Sequence, residues 1–180
     1  MACSITSGFE LACRDSIGGI KNIYILSGSV NSVSGDDSGL LTDISGVGTF
    51  YKFELVKQTG DFTETPTPSV ENGTIFYDQV INAPFHKLQS AIRNQVKVLG
   101  QAQDLKIIVE TNNGTDDSVG KFFLAGQKNG MTLTGGTGTT GVAYGDSNSY
   151  TITFGGQEAY PASEVSGSDL SAVMSGISVV

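Results

Sequence analysis

The sequence predicts a mainly β protein: a β-sandwich or partial barrel with one flanking α-helix at about residues 84–99. Three observations lead there. Glycine takes 24 of the 180 positions, and Ser, Thr and Asn fill the space left by a charged fraction of only 16%. Many short strands joined by tight turns give such a composition. Several segments are β-branched and aromatic with alternating polarity. One segment carries apolar residues at helical spacing.

Taken in order, residues 1–18 are small and polar and read as an N-terminal arm. Ile20 to Leu26 is a strand by its β-branched and aromatic content. Residues 27–48, rich in Gly, Ser and Asp, read as a long loop with Leu40-Leu41 as an apolar island. Thr49 to Val56 is the clearest strand, with Tyr51, Phe53 and Leu55 on one face. Residues 57–73 read as a loop, in which Phe62 to Thr65 is a short extended piece. Pro66 and Pro68 argue against a central strand there. Thr74 to Ile81 is again a strand.

The helix rests on Phe85, Leu88, Ala91, Ile92, Val96 and Leu99, spaced by threes and fours. Pro84 suits its first turn and Gly100 its stop. Beyond it, Leu105 to Glu110, Lys121 to Ala125 and Met131 to Thr134 read as strands. Asn113-Gly114 and Asn129-Gly130 mark turns, and the second predicts a hairpin of 121–125 with 131–134. Residues 135–148 form a Gly-rich loop, and Tyr150 to Phe154 alternates as the last strong strand. Residues 160–180 form a low-charge C-terminal tail with a weak helical signal from Leu170 to Met174. A chain of this length buries roughly 70% of its unfolded surface, so a single domain over 1–180 is expected.

Charge narrows the function. Ten basic residues stand against 18 acidic ones, a net charge of −8. Gripping a nucleic acid by counterion release needs rows of Lys and Arg, which the sequence lacks. An acidic surface repels a phosphate backbone and suits a conduit better than a binder. Cys3 and Cys13 lack CxxC spacing, and either a disulfide or two free thiols fits them. No basic segment leads into an apolar one as in a signal peptide, and no apolar run reaches the roughly 18 residues of a membrane span. The chain is therefore expected to be made in cytoplasm.

Motifs that carry chemistry are few. Gly136-Thr137-Gly138-Thr139-Thr140-Gly141 matches a dinucleotide fingerprint, but no helix is expected after it to receive a pyrophosphate. Gly145-Asp146-Ser147-Asn148 resembles an esterase nucleophile motif. The sole histidine, His86, has no acid at a triad's spacing. Asp36-Asp37 and Asp116-Asp117 lack the spacing of a calcium loop. Asn72-Gly73-Thr74 and Asn113-Gly114-Thr115 are glycosylation sequons in pattern and read as turns. The sequence therefore predicts a protein without catalytic residues, cofactor or metal.

Three phrases carry a family resemblance: Glu71 to Gln79, Gly120 to Gly136, and Gly145 to Glu158 with its Tyr-Thr-Ile-Thr-Phe core. In this order, across about residues 20–165, the chain resembles the tail tube proteins of tailed bacteriophages. The resemblance implies a virion protein, assembled in the host cytoplasm, whose hexameric rings stack into a hollow tube. Its partners would be further copies of itself and other tail proteins, with genomic DNA passing through the lumen unread. Injection-system tubes, terminators and other connector components share the fold. A long loop usually bridges successive rings, and residues 57–70 are the first candidate, with Asp61, Phe62, Thr63 and Glu64 as contacts, and residues 27–48 the second. The alternative from another class is a monomeric carbohydrate-binding or adhesion module, against which the absence of Trp counts.

Overall fold

The computed structural model describes residues 8, 16–35, 39–114, 120–167 and 169–180. Cys3, Cys13, Asp36, Asp37, Asp116 and Asp117 lie outside them. The protein is mainly β, with a small closed β-barrel and one further sheet. Its elements run β1 (Ile20–Gly35), β2 (Leu40–Glu54), β3 (Asp61–Ser69), β4 (Thr74–His86), α1 (Ser90–Leu99), β5 (Ile107–Thr111) and β6 (Phe122–Ala125). Then follow β7 (Thr132–Thr139), β8 (Ser149–Glu158), β9 (Ser163–Val165), α2 (Leu170–Val173) and β10 (Met174–Val179).

The barrel is the circuit β1-β5-β6-β9-β2, closed by the pairing of β2 with β1. β10 lies parallel to β2 beyond β9 and shares the same edge of that strand. The second sheet is antiparallel and open, in the order β3-β4-β8-β7. Two apolar clusters follow from this arrangement. Inside the barrel lie Leu26, Ile44, Phe50, Ile108, Leu124 and Val165, joined by Leu170, Val173 and Ile177 from the C-terminal elements. Between barrel and sheet lie Ile23, Ile25, Ile107 and Val109 from one side and Ile81, Ala83, Ile152 and Phe154 from the other. The barrel wall is thus apolar on both faces. That is why Ile23 to Leu26 reads as an unbroken apolar run.

Several expectations need correction. Residues 27–48 are not a loop: β1 and β2 form one long antiparallel hairpin through them. The outer half of β1 is mostly polar and, among the described residues, pairs with β2 alone, while the facing part of β2 gives Leu41 and Ile44 to the core, so no alternating pattern marks the hairpin. Gly28 and Gly48 sit opposite each other with φ of 149° and 142°. A Cβ on either would run into the backbone carbonyl of Val47 or Ser27. Glycine alone allows the two chains to bend together there.

Residues 61–69 are likewise a strand, not a loop, and Pro66 and Pro68 lie within it opposite Tyr77 and Ile75. β3 is the sheet's edge, where a residue without an N–H is tolerated. The helix starts at Ser90 rather than near Pro84. Pro84 and Phe85 finish β4 opposite Thr151 and Tyr150, past Asn82, where β3 stops pairing. Phe85 reaches the core as a strand residue and stacks near Phe53 at 5.5 Å between ring centroids. Lys87, at φ 69°, turns the chain into α1, whose Ile92, Val96 and Leu99 pack on the core between barrel and sheet.

The hairpin expected of 121–125 with 131–134 does not form. β6 pairs with β5 and β9, whereas β7 pairs with β8 in the other sheet. The Glu158 carboxylate explains the divergence. It accepts the backbone N–H groups of Lys128 (3.0 Å), Asn129 (2.7 Å) and Gly130 (3.2 Å). These bonds fasten a corner where the sequence suggested a tight turn, and the chain crosses from barrel to sheet through it. β7 extends to Thr139, so residues 135–139 at the start of the expected Gly-rich loop are strand. The C-terminal segment is not a loose tail, because β9, α2 and β10 all line β2.

Candidate assembly surface

The open sheet has one face on the core and one face on solvent, fixed by strand periodicity. Ile81, Ala83, Ile152 and Phe154 point inward, so Asn82, Thr151, Thr153 and their even-spaced neighbours point outward. The outward positions are Asp61, Thr63, Thr65 and Thr67 on β3, Phe76, Asp78, Val80, Asn82 and Pro84 on β4, and Thr151, Thr153, Gly155 and Gln157 on β8. On β7, Thr132, Thr137 and Thr139 oppose Gly155, Thr151 and Ser149.

Two polar rungs cross three strands of this face. In the first, Asn82 donates to both oxygens of Asp61 at 3.1 Å and accepts from the Thr153 hydroxyl at 2.9 Å. In the second, Asp78 accepts from Thr67 at 3.3 Å and from Gln157 at 2.9 Å. These bonds hold the side chains flat along the sheet. Between them lies a shallow depression of about 880 Å³, lined by Thr65, Asp78, Thr132, Thr134, Thr153 and Gln157 among others, with no aromatic side chain.

The electrostatics of the face follow from sequence and topology together. β3, β4, β7 and β8 contain no lysine and no arginine. The basic side chains near the core belong to the barrel and helix side: Lys21 and Lys52 on β1 and β2, Lys106 and Lys121 beside β5 and β6, and Arg93 and Lys97 on α1. The solvent face of the open sheet is therefore without Lys or Arg: hydroxyl, amide and carboxylate side chains, with Phe76 and Val80 among them. Among the described residues, its two outer strands, β3 and β7, each pair on one side only.

The four contact residues expected from the sequence divide by strand parity. Asp61 and Thr63 lie on the solvent face. Phe62 packs against the core, opposite Ile81. Glu64 points inward and accepts from Gln79 at 2.9 Å and from the Ala162 N–H at 2.7 Å, while buried Gln79 accepts the Gly126 N–H at 2.9 Å. That chain of bonds ties the sheet edge to the barrel. Asp61, Phe62 and Glu64 also line a cleft of about 300 Å³ with Ile17, Phe123 and Ala162. There the Asn113 side chain holds the Ile17 backbone through N–H and carbonyl bonds of 2.6 Å each, and Asn112 donates to the Gly18 carbonyl.

The other motifs resolve locally. Gly136 to Thr139 belongs to β7, and the next element is β8. Asp146 accepts the N–H groups of Val142 and Ala143 at 2.8 Å each, and this holds its carboxyl below the usual aspartate range. The Ser147 hydroxyl bonds the Ser149 hydroxyl at 2.8 Å. Among the described residues no three His, Cys, Asp or Glu side chains gather as metal ligands, and no helix is long and apolar enough to cross a membrane.

One buried polar cluster lies away from this surface. Glu110 follows Ile108 on the barrel's inner face and accepts from Asn22 at 2.6 Å and Tyr24 at 3.0 Å. Its other oxygen faces the Gly120 N–H and the Lys21 ammonium at 3.4 Å each. Burial pushes the Glu110 carboxyl up, but the donors from Asn22, Tyr24 and Gly120, with Lys21, outweigh it and hold the group below its ordinary range. Burial first, then the neighbouring Glu110 charge, drives the Tyr24 phenol well above its ordinary value.

Sequence reasoning found the acidity but not its placement. The signal was available: the segments that form β3, β4, β7 and β8 lack Lys and Arg, but only topology brings them into one sheet. No protein family, curated protein or solved structure matches the chain.

Proposed function

We propose that the protein is a structural subunit of a phage tail tube, assembled from copies of itself without catalysis or cofactor. In this reading, β3 of one copy pairs with β7 of the next, and the open sheets join side by side into a closed, hexameric ring. Stacked rings form the tube, in contact with other tail proteins in the virion. The solvent face of the open sheet lines the lumen through which genomic DNA passes.

The observation that carries the reading is the base-free solvent face between two bare edges. Bare edges are hazards in a monomer and bonding surfaces in a ring. A face with Asp61 and Asp78 as charges, and no Lys or Arg, gives phosphates no counterion-release grip. Hydroxyls and amides already engaged in cross-strand rungs have less to offer a passing backbone. A sugar-binding platform, by contrast, would call for aromatics in the depression, whose lining has none.

Negative-stain microscopy of the purified protein tests this directly. Rings with a central pore, or hollow tubes, are expected. A strict monomer at high concentration, unchanged by added tail partners, would sink the reading.

A further inference from the structure

Asn-Gly occurs three times in the sequence, at 72–73, 113–114 and 129–130, and the fold gives each pair a different setting. An asparagine followed by glycine is open to attack from its own backbone. The glycine nitrogen can reach the asparagine side-chain carbonyl carbon, because glycine has no Cβ to crowd the approach. Asparagine is thermolabile in proteins partly for this reason. Three features slow the attack: a hydrogen bond that holds the side-chain amide, one that occupies the glycine N–H, and burial that keeps water away.

At 129–130 all three are present. The Asn129 amide donates to the Gln157 carbonyl at 2.7 Å. The Gly130 N–H donates to the buried Glu158 carboxylate at 3.2 Å, and Gly130 is itself buried. At 113–114 the side chain is held at both ends. Its oxygen accepts from the Ile17 N–H and its nitrogen donates to the Ile17 carbonyl, at 2.6 Å each. Turning that amide toward Gly114 would break both bonds.

At 72–73 none of the three applies. The pair lies in the turn that joins Ser69 to Thr74, which face each other at the ends of β3 and β4. Both residues are exposed. Among the described residues, neither the Asn72 side chain nor the Gly73 N–H makes a hydrogen bond. Gly73 sits at φ 63°, with open space where a side chain would stand.

We propose that Asn72 is a self-modifying site that deamidates ahead of Asn113 and Asn129. The Gly73 nitrogen gives its proton to solvent and bonds to the Asn72 side-chain carbonyl carbon. The bond from that carbon to the amide nitrogen breaks, and ammonia leaves. Water then opens the resulting succinimide at either carbonyl. One opening yields aspartate. The other yields isoaspartate, in which the main chain runs through the former side-chain carbon. The net reaction consumes one water and releases one ammonia, with no oxidant, cofactor or partner. The turn gains a carboxylate next to Glu71, on a chain already at −8. In the isoaspartyl form the connection between β3 and β4 is also one backbone atom longer. This chemistry does not rest on the tube reading.

Peptide mapping by mass spectrometry tests it on the full chain, kept dilute in mildly alkaline buffer at body temperature. Conversion to aspartate and isoaspartate is expected severalfold faster at residue 72 than at 113 or 129. The same incubation in concentrated urea removes the folded settings, and the three sites should then convert at similar rates. Equal rates in the folded protein, or earlier conversion at 113 or 129, would overturn the proposal. A lead of Asn72 that persists undiminished in urea would also overturn it, because neighbouring sequence rather than the fold would then set the order.

Discussion

The barrel and the open sheet share one apolar cluster, yet they treat their edges and charges in opposite ways. The barrel circuit closes on itself through β1 and β2, and its inner polar groups answer one another around Glu110. The open sheet leaves β3 and β7 unpaired on their outer sides and gathers threonines and acids on its solvent face. On the proposed reading, the difference separates two tasks within one chain: closure gives stability to a single copy, and the open sheet keeps bonding capacity for a neighbour.

Substitutions should expose that division. The largest effect belongs inside the barrel. Phe50 is fully buried there, and Phe50→Ala should cost about 3–5 kcal/mol in urea unfolding of the monomer. A cost below about 1 kcal/mol would mean that the interior is loosely packed and the contrast overstated.

Glu110 comes next. Its carboxyl titrates lower in the fold than in the unfolded chain, where a glutamate sits near about 4.3. A depressed carboxylate stabilises the fold above that unfolded value, and the contribution is lost as pH falls through the folded one. Glu110→Gln should cost roughly 1–3 kcal/mol at neutral pH, because charged acceptance from Asn22 and Tyr24 is weakened. The variant should also lose less stability than the wild type on acidification. Parallel acid limbs for the two proteins would show that Glu110 does not carry the effect.

The smallest stability effect belongs to the open sheet. Thr63→Lys with Thr151→Lys changes exposed positions on the solvent face and should move unfolding by no more than about 0.5 kcal/mol each. The same variant should acquire salt-sensitive DNA binding in fluorescence anisotropy that the wild type lacks. Equal DNA binding by the two would remove the electrostatic meaning of the base-free face.

The barrel wall was legible in the sequence wherever both of its faces are buried. Ile20 to Leu26, Thr49 to Val56 and Leu105 to Glu110 announce themselves by apolar content, although Phe50, not Tyr51, proves to be the deepest side chain of its strand. The distal β1–β2 hairpin was illegible because its β1 half is mostly polar, its β2 half buries Leu41 and Ile44 at a spacing of three rather than two, and its bend depends on paired glycines. β3 was hidden by Pro66 and Pro68, whose meaning depends on whether the strand is an edge. Phe85 and Leu88 extended the apparent helical stripe by accident of spacing: one is a strand residue and the other belongs to the connection before α1. Of the candidate surface, only its acidity and the residues Asp61 and Thr63 were legible beforehand. Bringing four base-poor segments side by side is a property of pairing, and pairing between distant strands leaves no local mark.

If the proposed assembly holds, the open sheet bonds to neighbours while the barrel does not. Amide hydrogen exchange, followed by mass spectrometry in dilute monomer and in assembled protein, reads this directly. New protection on assembly is expected in β3 and β7, with little change in the barrel segments of β1, β5 and β6. Assemblies in which β3 and β7 exchange as fast as in the monomer, while the barrel strands gain protection, would contradict it.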